Sequence, residues 1–189
     1  MRSRPLQSVF TMAMICVICS LLLSLVYLAS EPRAAAAAEA EAERARLAAL
    51  PGASGFTLVE DAELVSGIDS VYKAAGSSGY VMTARARGYK KDIETVVGID
   101  LDGRITGVVV TDVSGEIAGL GTRVALPAYT DQYRGAEAIT ADPGDPTAAY
   151  IESVENAEEA STAVFSCVSN ALLQFRQLSG SEELSSGGV

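Results

Sequence analysis

The chain has 189 residues, enough for one globular domain with appendages. Of its 14 basic residues, Arg2 and Arg4 precede an apolar run, so the rest of the chain sets 12 basic residues against 24 acidic ones, a net of −12. That balance opposes binding to nucleic acid and to anionic lipid headgroups. The absence of His excludes histidine acid–base chemistry, histidine metal sites and His-ligated haem.

Taken in chain order, the first predicted element is apolar. Positions 9–29, VFTMAMICVICSLLLSLVYLA, hold no charged residue over 21 positions. A helix of that length spans about 30 Å, the hydrocarbon thickness of a bilayer. With Arg2 and Arg4 before it and Glu31 after it, the positive-inside rule puts residues 1–8 in the cytoplasm and the bulk of the chain on the extracytoplasmic side of the cell membrane. A cleavable signal peptide is the rival reading, although its apolar core is usually about 7–15 residues. Cys16 and Cys19 lie in this run, where they read as small apolar residues rather than a redox or metal pair. Cys167 stands alone beyond it.

Residues 30–55 are rich in Ala, Glu and Arg and read as a stalk, either helical or disordered, with Pro32 suited to a first helical turn and Pro51-Gly52 as its stop. The domain itself is expected over 56–179. SVYKAA (70–75) and GYVMTARAR (79–87) read as strands around a Gly-Ser turn. IETVVGIDLDGRITGVVVTDV (93–113) is the clearest hairpin, with Asp102-Gly103 expected to take the positive φ angles of a tight turn. Gly98 and Gly107 interrupt its strands and predict a bulge or a close backbone approach. Glycines 115, 119 and 121 mark a loop, and Tyr129–Tyr133 a short helix.

From about Ala160 to Leu178 the spacing of Val164, Val168, Ala171, Leu172, Phe175 and Leu178 predicts an amphipathic helix, with Gly180 as its C-cap and 180–189 as a disordered tail. Strands followed by a packing helix predict an α+β fold: an antiparallel sheet covered by a C-terminal amphipathic helix and preceded by one transmembrane helix.

Composition and spacing show no nucleophile with a base and no P-loop. Motifs add more. Gly88-Tyr89 with Asp92-Ile93 leads into VVGIDLDGRITGVVV (96–110). Then come Glu116-Ile117-Ala118-Gly119-Leu120-Gly121 and Tyr129-Thr130-Asp131-Gln132-Tyr133-Arg134-Gly135. In order and spacing this resembles the FMN-binding domain family of the RnfG/NqrC type, whose members belong to the Rnf electron-transport complex and to its relative, the Na⁺-pumping quinone reductase. The resemblance covers about residues 70–178 and the apolar segment. It implies a flavoprotein-type subunit relaying electrons through FMN in an ion-translocating complex, with other membrane subunits as partners and no complete catalytic site on this chain alone. Glu116, Gly119, Leu120 and Gly121 match a loop that packs beside the flavin.

The family carries FMN as a phosphoester on the Thr of a Ser-Gly-Ala-Thr motif. Placing Ala163-Val164 on the family's Ala-Val sets Glu155-Asn156-Ala157-Glu158 on that motif. Glu158 stands where the flavinylated Thr is expected, and Ser161 and Thr162 are the nearest hydroxyls. The resemblance therefore implies FMN without the residue that attaches it, or a structural subunit that has lost the flavin.

Overall fold

A computed structural model describes the backbone of residues 4–76 and 78–186; the side chains of 4–8, 26, 28–34 and 181–186 lie outside the description. The chain divides into two compact units, 1–43 and 44–189.

Helix α1 runs Arg4–Ala49, so one helix continues from the apolar run through the stalk, and position 32 lies inside it rather than in a first turn. The Ala/Glu/Arg segment propagates a helix already nucleated upstream, which costs less than starting one. Its large apolar residues from Val9 to Leu25 are exposed, from 46 % at Ile18 to 73 % at Phe10. Among the described residues no helix is long and apolar enough to cross a membrane. Of the predicted span 9–29, the side chains of 26, 28 and 29 lie outside the described residues.

The second unit is α+β. Five antiparallel strands, β1 (Phe56–Leu58), β2 (Ile68–Ala74), β3 (Tyr80–Arg87), β4 (Asp92–Ile99) and β5 (Ile105–Asp112), form a meander in sequence order. Residues two apart point to one face of a strand, so the sheet offers two apolar faces. On one, Val71, Met82, Ile93, Val97 and Val108 pack with the C-terminal helix Glu158–Ser186, which is α3 after the single turn α2 (Pro127–Thr130). On the other, Val81, Val96 and Ala74 pack with Ala45, Ala49, Leu50 and Ala53. The sheet is therefore covered on both sides, by α3 and by residues 44–53.

The predicted stripe of α3 is the buried one. Val164, Val168 and Ala171 are fully buried, Leu172 and Phe175 nearly so, and Leu178 packs at the margin. Each fully buried Val, Leu or Phe contributes roughly 1.5–3 kcal/mol by leaving water. Gln174 lies on the same face and is also fully buried. Its amide is satisfied: Oε1 accepts from the Val65 N–H (2.7 Å) and Nε2 donates to the Glu63 carbonyl (3.0 Å). This ties the β1–β2 loop to α3.

Two local expectations are corrected. Helix α3 continues through Gly180 to Ser186, so Gly180 is not a C-cap and the tail expected from 180 is helical that far; residues 187–189 lie outside the described residues. A glycine inside a helix costs only about 1 kcal/mol, which the helix absorbs. In the β4–β5 hairpin, Gly103 has φ +83° but Asp102 does not share a positive φ. The turn is wider than a two-residue one. Asp100 accepts the Gly103 N–H at its carbonyl (3.1 Å) and the Arg104 N–H at Oδ1 (2.8 Å). The Asp100 carboxylate holds the loop, and one left-handed residue suffices.

The glycine pair behaves as its sequence predicts. Gly98 and Gly107 face each other across β4 and β5. A Cβ on Gly98 would lie 2.2 Å from the Ala49 carbonyl oxygen, and one on Gly107 would lie 2.9 Å from it. The missing side chains let the last turn of α1 descend onto the strands. There the Thr106 hydroxyl donates to the Ala49 carbonyl (2.6 Å), satisfying one of the acceptors that a helix end leaves open. Arg46 caps the same contact, its guanidinium 4.0 Å over the Tyr72 ring and donating to the Tyr72 hydroxyl (3.1 Å).

Cys167 lies fully buried between α3 and the sheet, and burial pushes its thiol up to about 11. The unfolded thiol ionises near 9.0, so the unfolded state loses its proton first and rising pH favours unfolding. Between these values stability should fall by about 2–3 kcal/mol, and the raised phenols of Tyr129 and Tyr133 act in the same direction. Urea midpoints at about pH 8 and about pH 11 measure this drop. Cys167→Ala should lower the starting stability and flatten the alkaline slope.

Candidate functional site

Two tight turns meet beside the N-terminus of α3. The first, between β3 and β4, contains Gly88 and Tyr89. The second follows β5 and leads through Glu116 to a 3₁₀ turn at Gly121–Ala125. The Glu116 carboxylate joins them. Its Oε1 accepts the Tyr89 N–H at 2.8 Å. A Cβ on Gly88 would sit 2.3 Å from Oε1, and one on Gly121 would sit 2.4 Å from Oε2. The carboxylate is thus threaded between two residues that must lack side chains. Gly115 makes the same kind of close approach to the Lys91 backbone, where a Cβ would lie 2.6 Å from the Lys91 nitrogen.

The start of α3 closes the third side. Asn156 has φ +60°, a left-handed conformation that Asn tolerates better than most residues because its short polar side chain bonds locally. The Ala157 N–H donates to the Val154 carbonyl (3.0 Å), and the Val154 N–H donates to the Ser161 hydroxyl (2.9 Å). Glu158 and Glu159 occupy the first turn, where the positive end of the helix dipole favours acids.

Buried polar groups hold this corner in place. The Tyr129 hydroxyl donates to the Ser161 carbonyl (3.1 Å), so the Tyr133 hydroxyl is the donor in its 2.9 Å bond to Tyr129. Burial raises both phenols, keeping them protonated donors. The rings meet edge to face with centroids 5.7 Å apart. Gln132 adds a two-way clamp: the Glu152 N–H donates to its Oε1 (2.9 Å), and its Nε2 donates to the Glu152 carbonyl (3.4 Å). Tyr133 and Gln132 are thus core and clamp residues that fix the approach to α3.

The result is an open cleft of about 210 Å³ lined by Tyr89, Glu116, Ile117, Leu120, Gly121 and residues 156–160. Of the residues singled out from sequence, Glu116, Leu120, Gly121 and Glu158 come together there. Gly119 is exposed in the adjoining loop with φ +78°, its N–H donating to the Thr122 hydroxyl (3.0 Å). Ser161 is buried and engaged by Val154, and Thr162 is exposed one residue further along α3; neither lines the cleft. Sequence reasoning did not select Tyr89, Asn156 or Glu159 as site residues. The signal for Tyr89 was its place beside Gly88, and for Asn156 its alignment on a glycine.

The residues present do not fit a covalently held FMN. Glu158 has no hydroxyl to carry a phosphoester, and the nearest buried hydroxyl, Ser161, accepts a backbone hydrogen bond away from the cleft. Three carboxylates line the cleft with no Lys or Arg among them, an arrangement that repels a phosphate. The volume also falls below the roughly 300–1,000 Å³ usual for cofactor-sized ligands. Among the described residues there is no group of His, Cys, Asp and Glu that could hold a metal ion.

No protein-family model and no curated protein matches the sequence. The solved structures to which the chain is similar include two NqrC subunits. One is the NqrC subunit of the Na⁺-translocating NADH-quinone reductase of Parabacteroides distasonis, at 19% identity and a TM-score of 0.43, over 57% of this chain and 61% of that one. The other is NqrC of Shewanella oneidensis, at 21% identity and a TM-score of 0.45, over 72% of this chain and 74% of that one. The matched region spans about three fifths of the first relative's length.

Proposed function

We propose that this chain is an RnfG-like component of a membrane-bound, ion-translocating electron-transport complex of the Rnf type. Residues 9–29 anchor it, with the N-terminus cytoplasmic and the acidic domain on the extracytoplasmic side. One observation carries the reading. Three segments that bear the resemblance are far apart in sequence, yet Tyr89 of the first, Glu116, Leu120 and Gly121 of the second, and Asn156 to Glu158 of the third meet at one cleft. The left-handed backbone of Asn156 falls where the motif has its Gly, which supports the register that sets Glu158 on the flavinylated Thr. The anchor draws support from the large apolar side chains of α1 that are exposed among the described residues from Val9 to Leu25.

Within such a complex the chain reads best as a structural subunit that has kept the fold and lost the covalent flavin. The other reading, an electron relay through FMN, requires the flavin to be held without a phosphoester; the free N–H groups at the start of α3 favour it and the surrounding carboxylates oppose it.

Isolation of the tagged full-length chain from native membranes in mild detergent tests the assignment. Polytopic oxidoreductase subunits should co-purify in fixed ratio, with less than one flavin per copy of this chain attributable to it. Recovery without any membrane oxidoreductase subunit would sink the assignment. One tightly bound, extractable FMN per copy would select the relay reading.

A further inference from the structure

The cleft is poorly suited to a flavin phosphate but is not a blank surface. Its rim carries large apolar side chains in water: Tyr89 is 50 % exposed and Ile117 is 49 % exposed, with Leu120 half-buried between them. Across from them stand Glu158 and Glu159, exposed and without an ion-pair partner among the described residues. Several of the domain's arginines are paired elsewhere. Arg85 pairs with Asp69 and Glu94, Arg104 with Glu137, and Arg134 with Asp131. Lys90 lies over the Tyr89 ring, 5.7 Å from its centroid, and does not line the cleft. A volume of about 210 Å³ suits one or two side chains better than a tricyclic cofactor.

We infer that this cleft is a docking site for a protein segment of a partner subunit, an apolar side chain flanked by Lys or Arg, in the position that the resemblance gives to a flavin. The inference rests on the complex proposed above. An apolar side chain seated between Ile117 and Leu120 removes their surface from water. Basic residues beside it meet Glu158 and Glu159, and the domain's net negative charge steers a basic segment toward it. Glu116 Oε1 already accepts the Tyr89 N–H, so the charge contacts are assigned to the exposed Glu158 and Glu159. On this view the glutamate at the attachment position is a contact residue.

The test uses the full-length chain in native membranes, with a photoreactive benzoylphenylalanine at Ile117 and, as a control, at the equally exposed Leu101 on the β4–β5 turn. The expected result is an Ile117 adduct to a partner segment with Lys or Arg within a few residues of the cross-linked position. Glu158→Gln with Glu159→Gln should lower its yield about fivefold, the size expected for two exposed ion pairs. Both side chains are exposed, so the double variant should keep its far-ultraviolet dichroism. No adduct above the Leu101 control, an adduct insensitive to the two glutamines, an adduct to a second copy of this chain, or one on a segment without basic residues would each overturn the docking site. The identity of the cross-linked protein separately tests the complex. A partner that is no membrane oxidoreductase subunit would count against the assignment while leaving the docking chemistry standing.

Discussion

Gly98→Val should destabilise the domain by about 3 kcal/mol, the upper range for forced overpacking. The obstruction is backbone. A Cβ at this position would meet the Ala49 carbonyl oxygen at 2.2 Å and its carbon at 2.5 Å, and a helix terminus cannot turn aside as a flexible side chain can. The last turn of α1 must lift from β4 and β5. The bond from Thr106 to Ala49 is then lost, and the apolar contact of Ala45, Ala49 and Leu50 with Val81 and Val96 loosens. A urea titration followed by dichroism should show an earlier midpoint. Gly119→Ala is the contrast: its site is open and only φ +78° is strained, so about 1 kcal/mol is expected. Equal losses at the two positions would contradict the close-approach account.

Gly121→Ala should have the next largest effect, about 2 kcal/mol, and it should report on the cleft itself. The added carbon meets Glu116 Oε2 at 2.4 Å and Glu116 Cβ at 3.0 Å. The carboxylate must move, and the Tyr89 N–H loses its acceptor. Glu116→Ala alone should cost about 1 kcal/mol, the usual net worth of a hydrogen bond of this kind. The double variant should be less destabilised than the sum, by roughly 1 kcal/mol, because Glu116→Ala removes the carboxylate that Gly121→Ala collides with and leaves only the milder contact with the residue-116 Cβ. Simple additivity in the denaturation cycle would show that Glu116 does not thread between the two glycines.

Much of this architecture is legible in the residues because it is periodic or local. The three- and four-residue spacing from Val164 to Leu178 forces one apolar face, and that face is the buried one. The alternation and glycine punctuation of 93–113 give a hairpin. What the sequence hides is pairing at a distance. Gly98 and Gly107 announce a close approach, but nothing local says that the approaching group is the carbonyl of Ala49, about fifty residues earlier. The turn at Asp102-Gly103 looks like a two-residue reversal, yet the Asp100 side chain holds a longer one. Gly180 has the chemistry of a stop, but Phe175 and Leu178 pack just before it and the helix runs on.

The candidate site divides in the same way. Glu116, Leu120, Gly121 and Glu158 were found through motif order and do share a cleft, whereas Ser161 is drawn inward to bond Val154. The role of Glu116 as a strut between turns follows from the fold alone, since in sequence it is one acid among many. The tyrosine pair is similar. Its four-residue spacing suggests a helix face, and only the fold shows a donor chain from Tyr133 through Tyr129 to the Ser161 carbonyl.

The central proposal is that Glu158 stands where the resemblance expects the flavin-attaching hydroxyl, so that this chain carries no covalent FMN. Intact-mass spectrometry of the full-length chain purified from its native membranes under denaturing conditions, with in-gel fluorescence beside it, tests this most directly. The mass should be that of the polypeptide without FMN, and the band should be dark. A mass increased by one flavin phosphoester, mapped to Ser161, Thr162 or any residue of 155–162, would contradict the account.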